Sequence, residues 1–127
     1  MERSYCFCQV LIFIKILHTV IWAVLAGAIF ALPWLGVARQ FRRAAIVSAI
    51  VLVECAVIAT NRGRCPLTDW AARFTADRLP NFDIYLPVWL AQYNKLIFGS
   101  LFVLGETVVV GSWLSQRLRK NHRSEAG

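Results

Sequence analysis

The sequence predicts an all-α polytopic membrane helix bundle, with three transmembrane helices plus one short amphipathic interfacial helix. Three observations carry that expectation. The 127 residues are 58% apolar and only 17% charged, with a mean hydropathy of +0.57. A water-soluble domain of this length buries only about two-thirds of the surface its unfolded chain exposes, too little to hide so much apolar side chain. The apolar residues are also gathered into three long runs, and short clusters of arginine separate them.

The first run reads 16-ILHTVIWAVLAGAIFALPWLGVA-38 and extends back to about Val10, giving a span over 10–38. The second, 44-AAIVSAIVLVECAVIAT-60, is short and sufficient with Asn61 at the interface. The third, 88-VWLAQYNKLIFGSLFVLGETVVVGSWL-114, is long enough to tilt. A helix needs about 20 residues to cross a hydrocarbon core of about 30 Å. Only a helix satisfies its own backbone polar groups there without a partner strand. Pro33 falls near the end of the first run, where a kink or an early exit is tolerated. The run continues past 26-AGA-28, so the first span reads as a retained helix rather than a cleaved signal peptide.

The connectors are read in the same way. Between the first two spans lies 39-RQFRR-43, and the chain ends in a basic tail over 115–127. Between the second and third lies 61-NRGRCPLTDWAARFTADRLPNFDIYLP-87. From Pro66, the residues Leu67, Trp70, Ala71 and Phe74 follow helical spacing. An interfacial helix over about 66–79 is therefore predicted, capped by Thr68 and stopped by Pro80. Phe82, Tyr85 and Trp89 then suit the headgroup level as an aromatic belt. One membrane domain accounts for the whole chain.

The net charge is +7. It is distributed as short basic clusters between apolar runs rather than as one face of a soluble fold, which favours membrane loops and speaks against nucleic acid. Gathering Arg39, Arg42, Arg43, Arg117, Arg119, Lys120 and Arg123 on the cytoplasmic side places the tail inside and the N-terminus and the 61–87 connector outside. The expected location is the inner (plasma) membrane of a bacterium.

Ionisable groups within a span are costly, by about 2.5–3.5 kcal/mol each on insertion scales, and call for a partner or a purpose. Gln92, Lys95, Gly99, Phe102 and Glu106 share one stripe of the third span. Lys15, His18 and Trp22 form another on the first, and Glu54 stands in the second. At about 1.5 Å per residue, Glu54 and Lys95 lie at matching depths of about 9–10 Å. An ion pair between them is expected, with His18 and Asn94 in reach. Glu106 is expected near Arg42 or Arg43. This cluster reads either as polar glue between helices or as a ligand, proton-relay or cofactor pocket. Ala23, Gly27 and Ala31 offer a small-residue face for close packing.

The cysteines leave alternatives open. Cys65 could pair with Cys55, or with Cys6 or Cys8, if the outer side is oxidising. Cys6 and Cys8 alone are too few ligands for a metal site. A nucleophilic Cys65 would need a base, and no histidine is close in sequence. The order of His18, Gly27, an arginine-rich turn, Glu54 and then 65-CPLT-68 resembles a family of small bacterial inner-membrane proteins marked by a Cys-Pro-Leu-Thr motif. The resemblance covers roughly residues 15–105. It implies a compact bundle of three or four helices with Cys65, Pro66, Leu67 and Thr68 at its outer edge, and it supplies no catalytic residue.

The expectation for function is a non-enzymatic integral membrane protein, a structural component, complex subunit or homo-oligomer in the bilayer. The alternatives are a membrane redox or haem protein using His18, and a small oligomeric transporter built on Glu54, Lys95 and His18.

Overall fold

The computed structural model describes residues 2–127. All of its regular structure among these residues is helical, and three of the helices are long and apolar enough to cross a membrane. Helix α1 runs Glu2–Val37, α2 Phe41–Thr60, α3 Pro66–Ala71 and α4 Val88–Ala126. The chain is thus a membrane-embedded bundle with one short extra helix in the longer connector.

Helix lengths set the geometry. The 20 residues of α2 rise about 30 Å, one hydrocarbon thickness. The 36 residues of α1 and 39 of α4 rise about 54 and 58 Å, so each overhangs the core by several turns. They overhang at opposite ends. The N-terminal turns of α1 are flanked by the connector, where Phe7 stacks on Phe74 at 5.7 Å. The last turns of α4 project past the α1–α2 turn as an exposed basic helix, in which Arg117 lies 4.4 Å from the ring centre of Trp113. The predicted spans are thereby extended. The first helix begins before Val10, and the tail after residue 114 continues the third helix instead of leaving it.

The α1–α2 turn and the longer connector begin with the same helix-ending device. The amide of Gln40 reaches back to the carbonyl of Leu35 at 2.9 Å, and that of Gly63 to Ile58 at 2.8 Å. This closure requires a left-handed residue just past the helix end. Arg39 (φ 58°) and Arg62 (φ 60°) supply it.

The interior is narrow. Helix α1 packs mainly against α4, then against α2, while α2 and α4 touch least. Ile14, Leu32 and Ala44 are fully buried, and Ala26, Ile29 and Val51 nearly so. Toward the α1–α2 turn, α1 and α4 approach through glycine. A methyl group on Gly36 would sit 3.0 Å from the Val109 Cα, and one on Gly105 would sit 3.0 Å from the Leu32 Cβ. The small-residue ladder expected at Ala23, Gly27 and Ala31 does not serve this purpose. Ala23 and Gly27 are exposed, and a Cβ on Gly27 would meet nothing within 4 Å. Their stripe points out of the bundle because Ala26, Ile29 and Leu32 point in.

The interfacial helix is shorter than the predicted 66–79. After Ala71 the chain turns through Phe74 and leaves helical geometry. The backbone groups that a longer helix would pair are taken by side chains, a local competition typical of such residues. Thr75 Oγ1 accepts the Asp77 amide, and Asp77 Oδ1 accepts the Leu79 amide. The Arg78 guanidinium donates to the carbonyls of Ala72, Thr75 and Asp77. The start also differs. Cys65 is the N-cap, Pro66 takes the first helical position, where its missing N–H is harmless, and no side chain caps the end. The Thr68 hydroxyl is engaged elsewhere.

Candidate functional site at the connector end of the bundle

The connector is fastened to α1 by a polar seam. Lys15, His18, Thr19 and Trp22 fall on one face of α1, because residues three and four apart share a side. Each finds a partner from another element. The Lys15 ammonium lies 4.6 Å from the centre of the Tyr85 ring. The Tyr85 amide donates to Thr19 Oγ1 at 3.0 Å, and the Thr19 hydroxyl donates to the Lys15 carbonyl at 2.6 Å. The Trp22 indole N–H donates to Asn94 Oδ1 on α4 at 2.8 Å.

His18 holds the centre. Its Nδ1 stands 3.1 Å from Asp83 Oδ2 and 3.3 Å from the Asp83 carbonyl. Asp83 is 4% exposed, the one charged residue in the buried set. Its carboxylate also accepts a hydrogen bond from the Thr68 hydroxyl. Burial alone would raise the Asp83 carboxyl, but the hydrogen bonds from His18 and Thr68 outweigh it and hold the group below the usual carboxylate range. Thr68 on α3 thus holds the carboxylate that His18 pairs with, and Cys65, the N-cap of that helix, lines the same space as His18.

This seam walls a cavity of about 570 Å³ between α1, α2, α4 and the connector. Its polar lining includes His18, Glu54, Cys65, Asp83, Gln92 and Lys95, and its apolar floor includes Trp22, Leu25 and Ile58. The expected polar residues are therefore brought together around one space, but with different pairings. The ion pairs among the described residues are His18–Asp83 and the weaker, exposed Arg64–Asp69 at 3.8 Å. Glu54 and Lys95 do not form one. Lys95 donates instead to the Gly63 carbonyl. Gly63, at φ +77°, turns its backbone toward α4, and the long lysine stem carries its charge up to that interface.

Other expectations are also revised. Glu106 accepts from the Ser48 hydroxyl on α2, rather than meeting Arg42 or Arg43. Arg43 donates to Gln40 at 2.9 Å. Asn94 joins Trp22 and not the acid–base pair. The Cys55–Cys65 disulfide is not present; all four cysteines are free. Cys55 lies on the exposed face of α2, one position round from the cavity-lining Glu54, while Cys65 is half-buried and lines the cavity. His122, the second histidine, lies in the exposed basic end of α4.

Asp83 is the residue that sequence reasoning missed. Its setting in 82-FDIYLP-87, an acid flanked by aromatic and aliphatic residues, is the one local signal of burial. Comparison with protein-family models, with curated proteins and with solved structures finds no match to this chain.

Proposed function

We propose that this chain is a non-enzymatic multi-pass protein of a bacterial inner membrane, acting as a structural component or subunit of a membrane assembly, whether with itself or with other chains. The N-terminus and the 61–87 connector stand outside, and the basic end of α4 stands in the cytoplasm. The excess and density of Arg and Lys at the α1–α2 turn and on the end of α4 support that orientation. The 65-CPLT-68 motif supports the likeness to the small inner-membrane family that carries it.

One observation supports a structural role above the rest. Nearly every polar side chain of the seam is bonded to another part of the same chain, so the seam acts as a fastener. The three spanning helices meanwhile present most of their apolar surface outward, with 11%, 11% and 6% of each hydrophobic window buried. That surface suits lipid and neighbouring helices alike. Solubilised in mild detergent, the protein is expected to migrate as a complex larger than its 14.4 kDa chain, measured by native mass spectrometry. A bare monomer under conditions that preserve other inner-membrane complexes would overturn the subunit reading.

A second reading, a small oligomeric carrier, is favoured by the cavity. Glu54 and Lys95 face one space without closing on each other, an arrangement that leaves both available to a polar solute.

A further inference from the structure

The seam uses up its own polar groups, but the cavity beside it does not. Of the charged residues around that space, His18 is matched by Asp83, and Arg64 loosely by Asp69. Lys95 and Arg78 hold only backbone carbonyls. Glu54 has neither an ion pair nor a side-chain hydrogen bond among the described residues, although it stands inside α2 and lines the cavity. A charge left without a partner within a span points to a ligand.

The unmatched groups are ordered by depth. Gly63 and Arg64 lie beyond Thr60, the last residue of α2, and the Lys95 ammonium rises to the Gly63 carbonyl. A lysine ammonium has three N–H donors, so two remain there for an anion. Glu54 lies six residues before the end of α2, about 9 Å farther into the bundle. The lining around it is apolar and includes Trp22, Leu25 and Ile58. Helices α2 and α4 touch least of the three spans. Glu54 and Lys95 come from those two helices, so the way from the cavity into lipid runs between them.

We propose that the cavity binds a single-chain phospholipid. Its phosphate lies against Lys95 and Arg64 at the connector, and its acyl chain passes between α2 and α4 into the bilayer. Glu54 then meets the glycerol on the acyl side of the phosphate. A two-chain phospholipid has only ester oxygens there, all of them acceptors, which a carboxylate repels. A single-chain lipid has a free glycerol hydroxyl, which donates to Glu54. The carboxylate thus discriminates between the two, because the wrong lipid leaves it buried and unpaired. A phosphate without a chain leaves the apolar lining unfilled. The cavity of the carrier reading gains an occupant in this way, yet binding is measured without transport or assembly, so each can fail alone.

The full chain, purified in maltoside and stripped of lipid, is titrated with monopalmitoyl-glycerophosphoglycerol, and bound lipid is counted by native mass spectrometry. One saturable adduct is expected. Methylating the free glycerol hydroxyl next to the acyl chain, or placing a second palmitoyl chain on it, should weaken binding about tenfold or more. Equal binding of the three lipids overturns the proposal, as does a ladder of adducts that does not saturate at one. Inorganic phosphate at millimolar concentration should not displace the lipid; displacement would make this a phosphate site and overturn it as well. These comparisons use the unaltered chain and need no variant to fold. Lys95→Met should weaken the hydroxyl and methylated lipids alike. Glu54→Leu should remove the preference between them, and a preference retained in the folded variant overturns the role given to Glu54.

Discussion

The two ends of the bundle hold the same helices together by opposite means. At the connector end, α1 meets the connector and α4 through a polar seam around a cavity, and contact between elements runs through hydrogen bonds and one buried ion pair. At the end of the α1–α2 turn, α1 and α4 approach backbone to backbone through Gly36 and Gly105, and the side-chain hydrogen bond between spans there joins Ser48 to Glu106. The difference follows from the solvent. Lipid gives helices little hydrophobic reason to associate, so close van der Waals packing and hydrogen bonds must do it. Close packing suits the turn end, where α1 and α2 are joined by few residues. The connector end must also hold 27 residues, from Asn61 to Pro87, and irregular backbone that is buried requires polar partners.

The largest effect should come from breaking the seam at its centre. Asp83→Ala leaves His18 partly buried without its carboxylate, and removal of one member of a buried pair costs about 3–5 kcal/mol. Thermal unfolding in detergent should show a large fall in midpoint, and limited proteolysis should cut the connector while α4 stays whole. Equal resistance of the connector in wild type and variant would mean that the seam does not fasten it.

The turn end should respond less and differently. Gly36→Ala places a methyl group 3.0 Å from Val109, an overpacking that costs about 1–3 kcal/mol. The α1–α4 distance at that level, read by spin labels, should widen while the connector keeps its protease resistance. Loss of connector protection in this variant would show that the two ends are not independent.

The smallest effect is a pH dependence confined to the connector end. Asp83 is held below the ordinary carboxylate range in the folded protein, so folding binds the ionised form. Its contribution is complete above the ordinary aspartate value of about 3.9. It is lost as pH falls through that value toward the lower folded one. Stability measured between about pH 5 and pH 3 should therefore decline with acid in wild type, and Asp83→Asn should flatten this part of the curve. An identical slope in the two proteins would remove Asp83 as the source.

The long-range pairing explains which residues were legible beforehand. Depth in the bilayer can be read from residue count, because helix rise is constant. Glu54 and Lys95 were accordingly placed on one level, and both do line the cavity. Rotation about each helix axis cannot be read that way. It decides that Lys95 turns to Gly63, that Cys55 faces outward, and that the close-packing glycines are Gly36 and Gly105 rather than Gly27. Asp83 reaches His18 across 65 positions of sequence, and no local pattern encodes such a meeting.

Composition and hydrophobic run length by themselves determined that this chain is an all-helical membrane protein with three crossings, because hydrocarbon admits few other backbones. The turn residues at 38–40 and 61–65 also marked where α1 and α2 end, though not where α1 begins or α4 stops. Only the tertiary structure decided which polar groups share a partner. That depends on how each helix is rotated against its neighbours, which the packing of Leu32 on Gly105 and of Asp83 under His18 sets and the order of residues along the chain does not.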